Sequence, residues 1–215
     1  MGVLADNLPR ILGGFLDTLG LLGASGLIAF VLGTLLGAMR VAPVPVLRAI
    51  GTTYVNIFRN TPLVVLFVVF VAGLPFLGVH ISFFARAVVT LSLYTAAFVC
   101  EAVRSGVNAV QVGQTEAARS IGCTFGQTLW LIVLPQAVRT VIPPLASIFI
   151  ALAKNTAIAE AFGVLEGTYQ FAFLVNRHAS ALWPLFFGTA LGYILIVFVI
   201  AGIAALLERK LAVAR

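Results

Sequence analysis

Between Thr18 and Met39 the chain carries no charged residue, and this run limits the possible folds more than any other feature. A helix needs about 20 apolar residues to cross about 30 Å of hydrocarbon. Only helices and closed barrels satisfy every backbone polar group in that medium. Further apolar runs lie over 62–79, 81–103 (with Arg86 near its start and Glu101 near its end), 136–153 (with Arg139 near its start) and 182–207. Hydrophobic residues make up 61% of the 215 residues and charged residues 9%, against about 25% charged in a soluble domain. A water-soluble fold would lack polar surface. The expectation is an all-α, polytopic membrane protein: one domain over 1–215 with about five transmembrane helices.

The individual spans carry further signals. Residues Met1 to Asp17 mix apolar and charged positions around Pro9 and Arg10, as in a short interfacial helix. The first run follows Asp6 and Asp17 and is long enough to span, so it is expected to remain in the mature protein rather than be cleaved as a signal. Within it, Gly33 and Gly37 have the spacing that lets helix backbones approach closely. Gly73 and Pro75 loosen the far end of the second run, and Pro143-Pro144 is expected to interrupt the fourth. Residues 157–181 are amphipathic, and Glu160, Glu166, Arg177 and His178 argue against a full span. Helical segments on the outer surface are expected there.

The basic residues set an orientation. With the N-terminus outside, Arg40, Arg48, Arg59, Arg104, Arg119, Arg139, Arg209, Lys210 and Arg215 fall on the cytoplasmic side, and Arg10, Arg86, Lys154 and Arg177 outside. The C-terminus is then cytoplasmic. The formal net charge of +6 is scattered singly between apolar runs, so it fits membrane topology and not nucleic acid. Cys100 and Cys123 have no metal spacing with each other or with His80 or His178, and read as small packing residues.

One polar island interrupts this pattern within the loop 105–135. Glu116-Ala117-Ala118 forms a compact helical start, Gly122 follows, and Ile132, Leu134 and Pro135 close a second segment. A glycine after a short helix can take positive φ and stop it. Pro135 lacks a backbone donor. Two short helices meeting at a glycine elbow are expected, with Glu116 placed to stabilise its helix through the dipole or to meet a basic residue of a partner. The same residues, at the same spacing, resemble the signature of the permease subunits of ATP-binding-cassette importers. The resemblance implies a type I importer permease fold, in which this cytoplasmic coupling loop sits in a cleft of an ATPase subunit.

Other motifs are similar to the polar amino acid branch of that family: Arg59-Asn60-Thr61-Pro62-Leu63, Tyr94-Thr95-Ala96-Ala97-Phe98 and Arg104-Ser105-Gly106. Met39-Arg40-Val41 and Gly113-Gln114-x-Glu116-Ala117-Ala118-Arg119-Ser120 resemble the shorter permease of actinobacterial glutamate importers. Glu101 and Arg104 share a helix face and read as a structural ion pair locking the third span to the loop, or alternatively as a gate on the solute path. Thr95 and Phe98 are candidates for the path wall, with Thr61. A buried Thr also commonly bonds its own backbone. Lys154, Asn155 and Thr156 close the fourth span. They are either interfacial or line an outer vestibule that hydrogen-bonds a zwitterion or a docked binding protein.

No phosphate-binding Gly-x-x-x-x-Gly-Lys-Ser/Thr stretch and no catalytic constellation occur, so no cofactor is expected in this chain. The resemblance implies that ATP and Mg are bound by separate ATPase subunits, and that the partners include a second permease (identical or paralogous) and an extracytoplasmic substrate-binding protein. It implies a bacterial cell membrane location and an amino acid solute, glutamate or a related polar one. The rival class is an ion-coupled carrier or channel. Such carriers often show repeated halves and midplane charges; no repeat is found here.

Overall fold

The computed structural model describes residues 2–211, so Arg215, counted above among the cytoplasmic basic residues, lies outside the described residues. The described residues contain helices and turns and no strand. A short helix α1 (Gly2–Asp6) leads into α2 (Leu8–Val41). Pro9 sits in the first turn of α2, where no backbone donor is required. The first long helix therefore begins at Leu8 rather than Thr18, and only α1 remains as a separate segment before it.

α3 (Pro45–Asn60) likewise starts on a proline and ends at Thr61-Pro62, whose backbones are extended. Then come α4 (Leu63–Phe67), a wider π turn (Val68–Ala72) and α5 (Gly73–Phe76). α3 meets the 63–76 segment at 103°. The second expected span, 62–79, is thus the shorter arm of a bent pair and stops at Phe76. Its helix is released by a turn at Leu77-Gly78, where Gly78 has φ +78°.

α6 (Phe83–Asn108) begins under a Ser82 cap, whose hydroxyl accepts from the Ala85 amide at 3.2 Å. α7 (Val112–Ser120) and α8 (Phe125–Thr128) follow, then a π turn (Leu129–Val133) and α9 (Leu134–Asn155). Helical winding is continuous from Phe125 to Phe162. Pro143-Pro144 does not interrupt it. Both prolines lie on the exposed side of α9, and packed neighbours make such residues tolerable in membrane helices. The disturbance expected at Pro135 appears just ahead of it, as the wide turn 129–133.

A 3₁₀ stretch (Thr156–Phe162), α10 (Gly167–Arg177), one more 3₁₀ turn (Ala179–Ala181) and α11 (Leu182–Leu211) complete the chain. Among the described residues four helical stretches are long and apolar enough to cross a membrane, and the bent α3–α5 pair makes a fifth if counted as one span. α2 lies along α6 because glycines remove side chains at the contact. A Cβ on Gly33 would stand 2.5 Å from Cβ of Val99, and one on Gly37 2.8 Å from Cβ of Val103. Leu21, Phe67, Leu91 and Leu152 are the buried centre of the main core. Leu36, Val55, Ala97 and Cys100 form a second core beneath α3.

The 157–181 region holds a 3₁₀ stretch, α10 and a 3₁₀ turn, packed against the long helices. α10 packs between α2 and α11, and Glu166, its cap, is fully buried.

Candidate functional site

The polar island folds into a helical hairpin. α7 stops at Ile121, where the Gly122 amide donates to Arg119 O and the Cys123 amide to Ala118 O, both at 3.0 Å. Gly122 has φ +88°, a conformation only glycine adopts without strain. α8 then restarts on a reciprocal cap. The Thr124 hydroxyl accepts from the Gln127 amide at 3.3 Å, and the Gln127 side chain accepts from the Thr124 amide at 2.8 Å.

Of the signature residues here, Ala118 is buried, whereas Glu116, Ala117 and Gly122 are exposed. Glu116 lies mid-helix, beyond the first turn of α7, so it does not serve that helix's N-terminus through the dipole. Ile132 lies within the wide turn, and Leu134 and Pro135 already belong to α9. The outer surface of the hairpin carries Val112, Ile121 and Phe125, each more than two-thirds exposed. A polar loop bearing exposed apolar anchors and one exposed carboxylate has the make-up of a protein-docking surface.

A charge cluster centred on Glu101 lies about two turns before the end of α6. The Glu101 carboxylate accepts from Arg104 Nε at 3.0 Å and Nη2 at 2.9 Å, and from Arg40 Nη1 of α2. Arg59 Nη1 of α3 stands 3.6 Å away. The sequence pair Glu101–Arg104 is therefore part of a group of four. Sequence spacing does not link Arg40 and Arg59 to it, because they lie on other helices. Arg59 also stands 5.7 Å from the ring centre of Phe98, which packs on Tyr94. Thr95 is buried. Thr61 donates to Ile57 O at 2.7 Å, closing the last turn of α3.

At the other end of the bundle, Lys154 is exposed and lines a cavity of about 320 Å³ with Thr168, Phe171, Phe186 and Tyr193. Asn155 is half-buried beside it. Thr156 is fully buried and donates to Ala153 O at 2.7 Å, so its hydroxyl is committed to backbone.

Sequence reasoning missed the adjacent buried carboxylate. Glu166 accepts from the Tyr193 hydroxyl at 2.5 Å, the Tyr169 amide at 3.0 Å and the Thr18 hydroxyl at 3.3 Å. Burial pushes its carboxyl above the usual range, opposed by those hydrogen bonds. The available signal was Glu166 three positions before Tyr169, at a helix start. Among the described residues no group of His, Cys, Asp and Glu could hold a metal.

Comparison with known proteins places this architecture. Residues 29–213 match the family described as binding-protein-dependent transport system inner membrane components. The chain is 42% identical to the glutamate transport system permease protein of Corynebacterium glutamicum, covering 95% of this chain and 96% of that one. It is 35% identical to the glutamate/aspartate import permease protein of Escherichia coli, over 92% of this chain and 85% of that one. A crystal structure of an amino acid ABC transporter with histidines superposes at a TM-score of 0.88 and 26% identity, over 96% of both chains. The inward-facing MetNI methionine ABC transporter shares the fold, at a TM-score of 0.76, 22% identity, and 96% and 98% coverage.

Proposed function

Because the chain belongs to the binding-protein-dependent transport system inner membrane components, it is a permease subunit of an ATP-driven amino acid importer, and we propose that its solute is glutamate or a related polar amino acid. The observation that carries the mechanism is the hairpin: the short helix α7 joined by a positive-φ glycine to the start of the continuous 125–162 helix, with apolar anchors turned outward. In this reading the hairpin faces the cytoplasm and seats in a separate ATPase subunit, which binds ATP and Mg. The N-terminus is outside and the C-terminus inside, as the basic residues favour. Two permeases, identical or paralogous, enclose the path, and an extracytoplasmic binding protein delivers the solute.

ATP binding draws the two hairpins together and opens the path outward; hydrolysis resets it. The chain's own residues position and transmit. Ala118 and the glycine elbow fix the hairpin's shape. The Glu101 cluster holds the inner ends of three helices together. Lys154 offers a cation to a carboxylate in the cavity; the Thr168 and Tyr193 hydroxyls that also line it are engaged with each other and with Glu166. The names of the relatives favour glutamate as the solute.

The test is reconstitution with the ATPase and binding protein from the neighbouring reading frames. Labelled glutamate should enter vesicles only with ATP and binding protein present. Uptake by the permease alone, driven by an ion gradient, would establish the carrier class instead.

A further inference from the structure

Two guanidinium groups join the bent α3–α5 pair to α6, one at each end. At the end near the 77–82 turn, Arg86 of α6 donates from Nη1 to Val71 O at 2.9 Å and from Nε to Ile81 O at 2.9 Å. Val71 lies in the wide turn, where the ordinary ladder of helical hydrogen bonds is rearranged and a carbonyl can accept from a side chain. At the other end, Arg59, in the last turn of α3, approaches Glu101 of α6.

These two ties differ in strength. Arg86 makes two hydrogen bonds to carbonyls. Arg59 makes none to Glu101: its 3.6 Å approach is beyond hydrogen-bond length, and its side chain is 46% exposed. Glu101 is otherwise held firmly. Arg104 occupies Oε2 through two nitrogens, and Arg40, with a side chain 14% exposed, occupies Oε1. Arg59 is therefore the exchangeable member of the cluster, with the Phe98 face as its alternative partner.

The chain connectivity gives this asymmetry a use. Arg104 lies one turn before the end of α6 at Asn108, and α7 of the hairpin starts at Val112. Any displacement of the hairpin reaches Glu101 through the 109–111 link and about two turns of α6. On the other side of the tie, Thr61-Pro62 is extended backbone at a 103° bend, the point at which α3 and α4 can change their angle.

We propose that Glu101 is the joint through which the hairpin moves the bent α3–α5 segment, with Arg59 as the contact made and broken in each cycle and Arg86 as the fixed pivot. Arg59 is on this account a positioning residue for transport. The inference rests on the hairpin docking an ATPase.

The test uses the assembled complex of permease, ATPase and binding protein in lipid nanodiscs. Arg59→Gln should assemble normally and melt within about 2 °C of the parent, as expected for an exposed, weak pair. Its binding-protein-stimulated ATPase and its uptake should fall about fivefold relative to its own basal ATPase. Arg59→Lys should recover most of the loss. Arg59→Glu should be worse than Arg59→Gln, because it sets a second carboxylate against Glu101. Unchanged stimulation and uptake in Arg59→Gln overturns the joint. A loss that tracks melting temperature across the three variants also overturns it, because it would mark a purely structural contact. If the parent complex itself retains no ATPase, it is the docking reading that fails.

Discussion

Tyr193 donates its phenolic hydrogen to Glu166 at 2.5 Å, and this bond fastens the cap of α10 to the middle of α11. Thr18 completes the arrangement from α2, donating to Glu166 and accepting from the Gly167 amide at 3.1 Å. Three elements distant in sequence thus meet on one buried carboxylate. Tyr193→Phe should destabilise the protein by about 1–3 kcal/mol, the cost of leaving a buried polar group short of a partner. Thermal unfolding in detergent measures this, and a melting temperature equal to the parent's would contradict it.

The same carboxylate gives a pH dependence with a defined sign. Burial raises its folded-state value above that of the unfolded chain, near 4.3 for a free glutamate. The folded state then holds the proton more tightly. Its contribution to stability is fully present below about pH 4.3 and is lost as pH rises through the raised value. Glu166→Gln should remove that component. The comparison is of melting temperature against pH for parent and variant, and parallel curves would count against the assignment.

Gly106 is where α6 admits α9. A Cβ there would lie 2.1 Å from Cγ2 of Val141 and 3.1 Å from Ala137 O. Gly106→Ala should therefore cost about 1–3 kcal/mol by overpacking. Val141→Ala in the same chain should recover part of it, because the nearest atom is then gone. A double-mutant cycle by thermal melting gives the coupling, and strict additivity would mean that the helices part rather than clash.

Gly122 makes a different demand. Nothing lies within 4 Å of a Cβ built there, so space is not the constraint; φ +88° is. Gly122→Val should cost about 1–2 kcal/mol locally and reshape the hairpin, reducing retention of the ATPase on the purified permease. Gly122→Asn, which tolerates left-handed backbone better, should retain more. Equal retention in glycine, asparagine and valine forms would show that the elbow's shape does not matter for docking.

Lys154 lines the cavity shared with Thr168 and Tyr193. If it meets the solute carboxylate, Lys154→Gln should lower glutamate uptake about tenfold, the scale of one charged hydrogen bond, while the complex still assembles. Uptake at the parent rate would remove Lys154 from the path.

Much of the fold was legible along the chain. Apolar runs mark helices that cross hydrocarbon, and each run here is largely helical, although the boundaries moved. Leu8 could start α2 because Pro9 is harmless in a first turn. Pro143-Pro144 could stay inside α9 because the continuous helix keeps both on its exposed side. The hairpin was legible too, since a glycine stop and a capped restart depend on neighbours a few positions away.

The amino-acid order alone fixed the membrane class, the helical architecture, the glycine elbow and the family signature, because hydropathy, capping and φ preference act over a few residues. Only the folded chain decided who partners the buried charges. Arg40 reaches Glu101 across 61 positions, and Thr18 reaches Glu166 across 148. Such pairings depend on which helix faces pack together, and that is set by glycine contacts such as Gly33 against Val99. No local pattern in either segment encodes the other end of the bond.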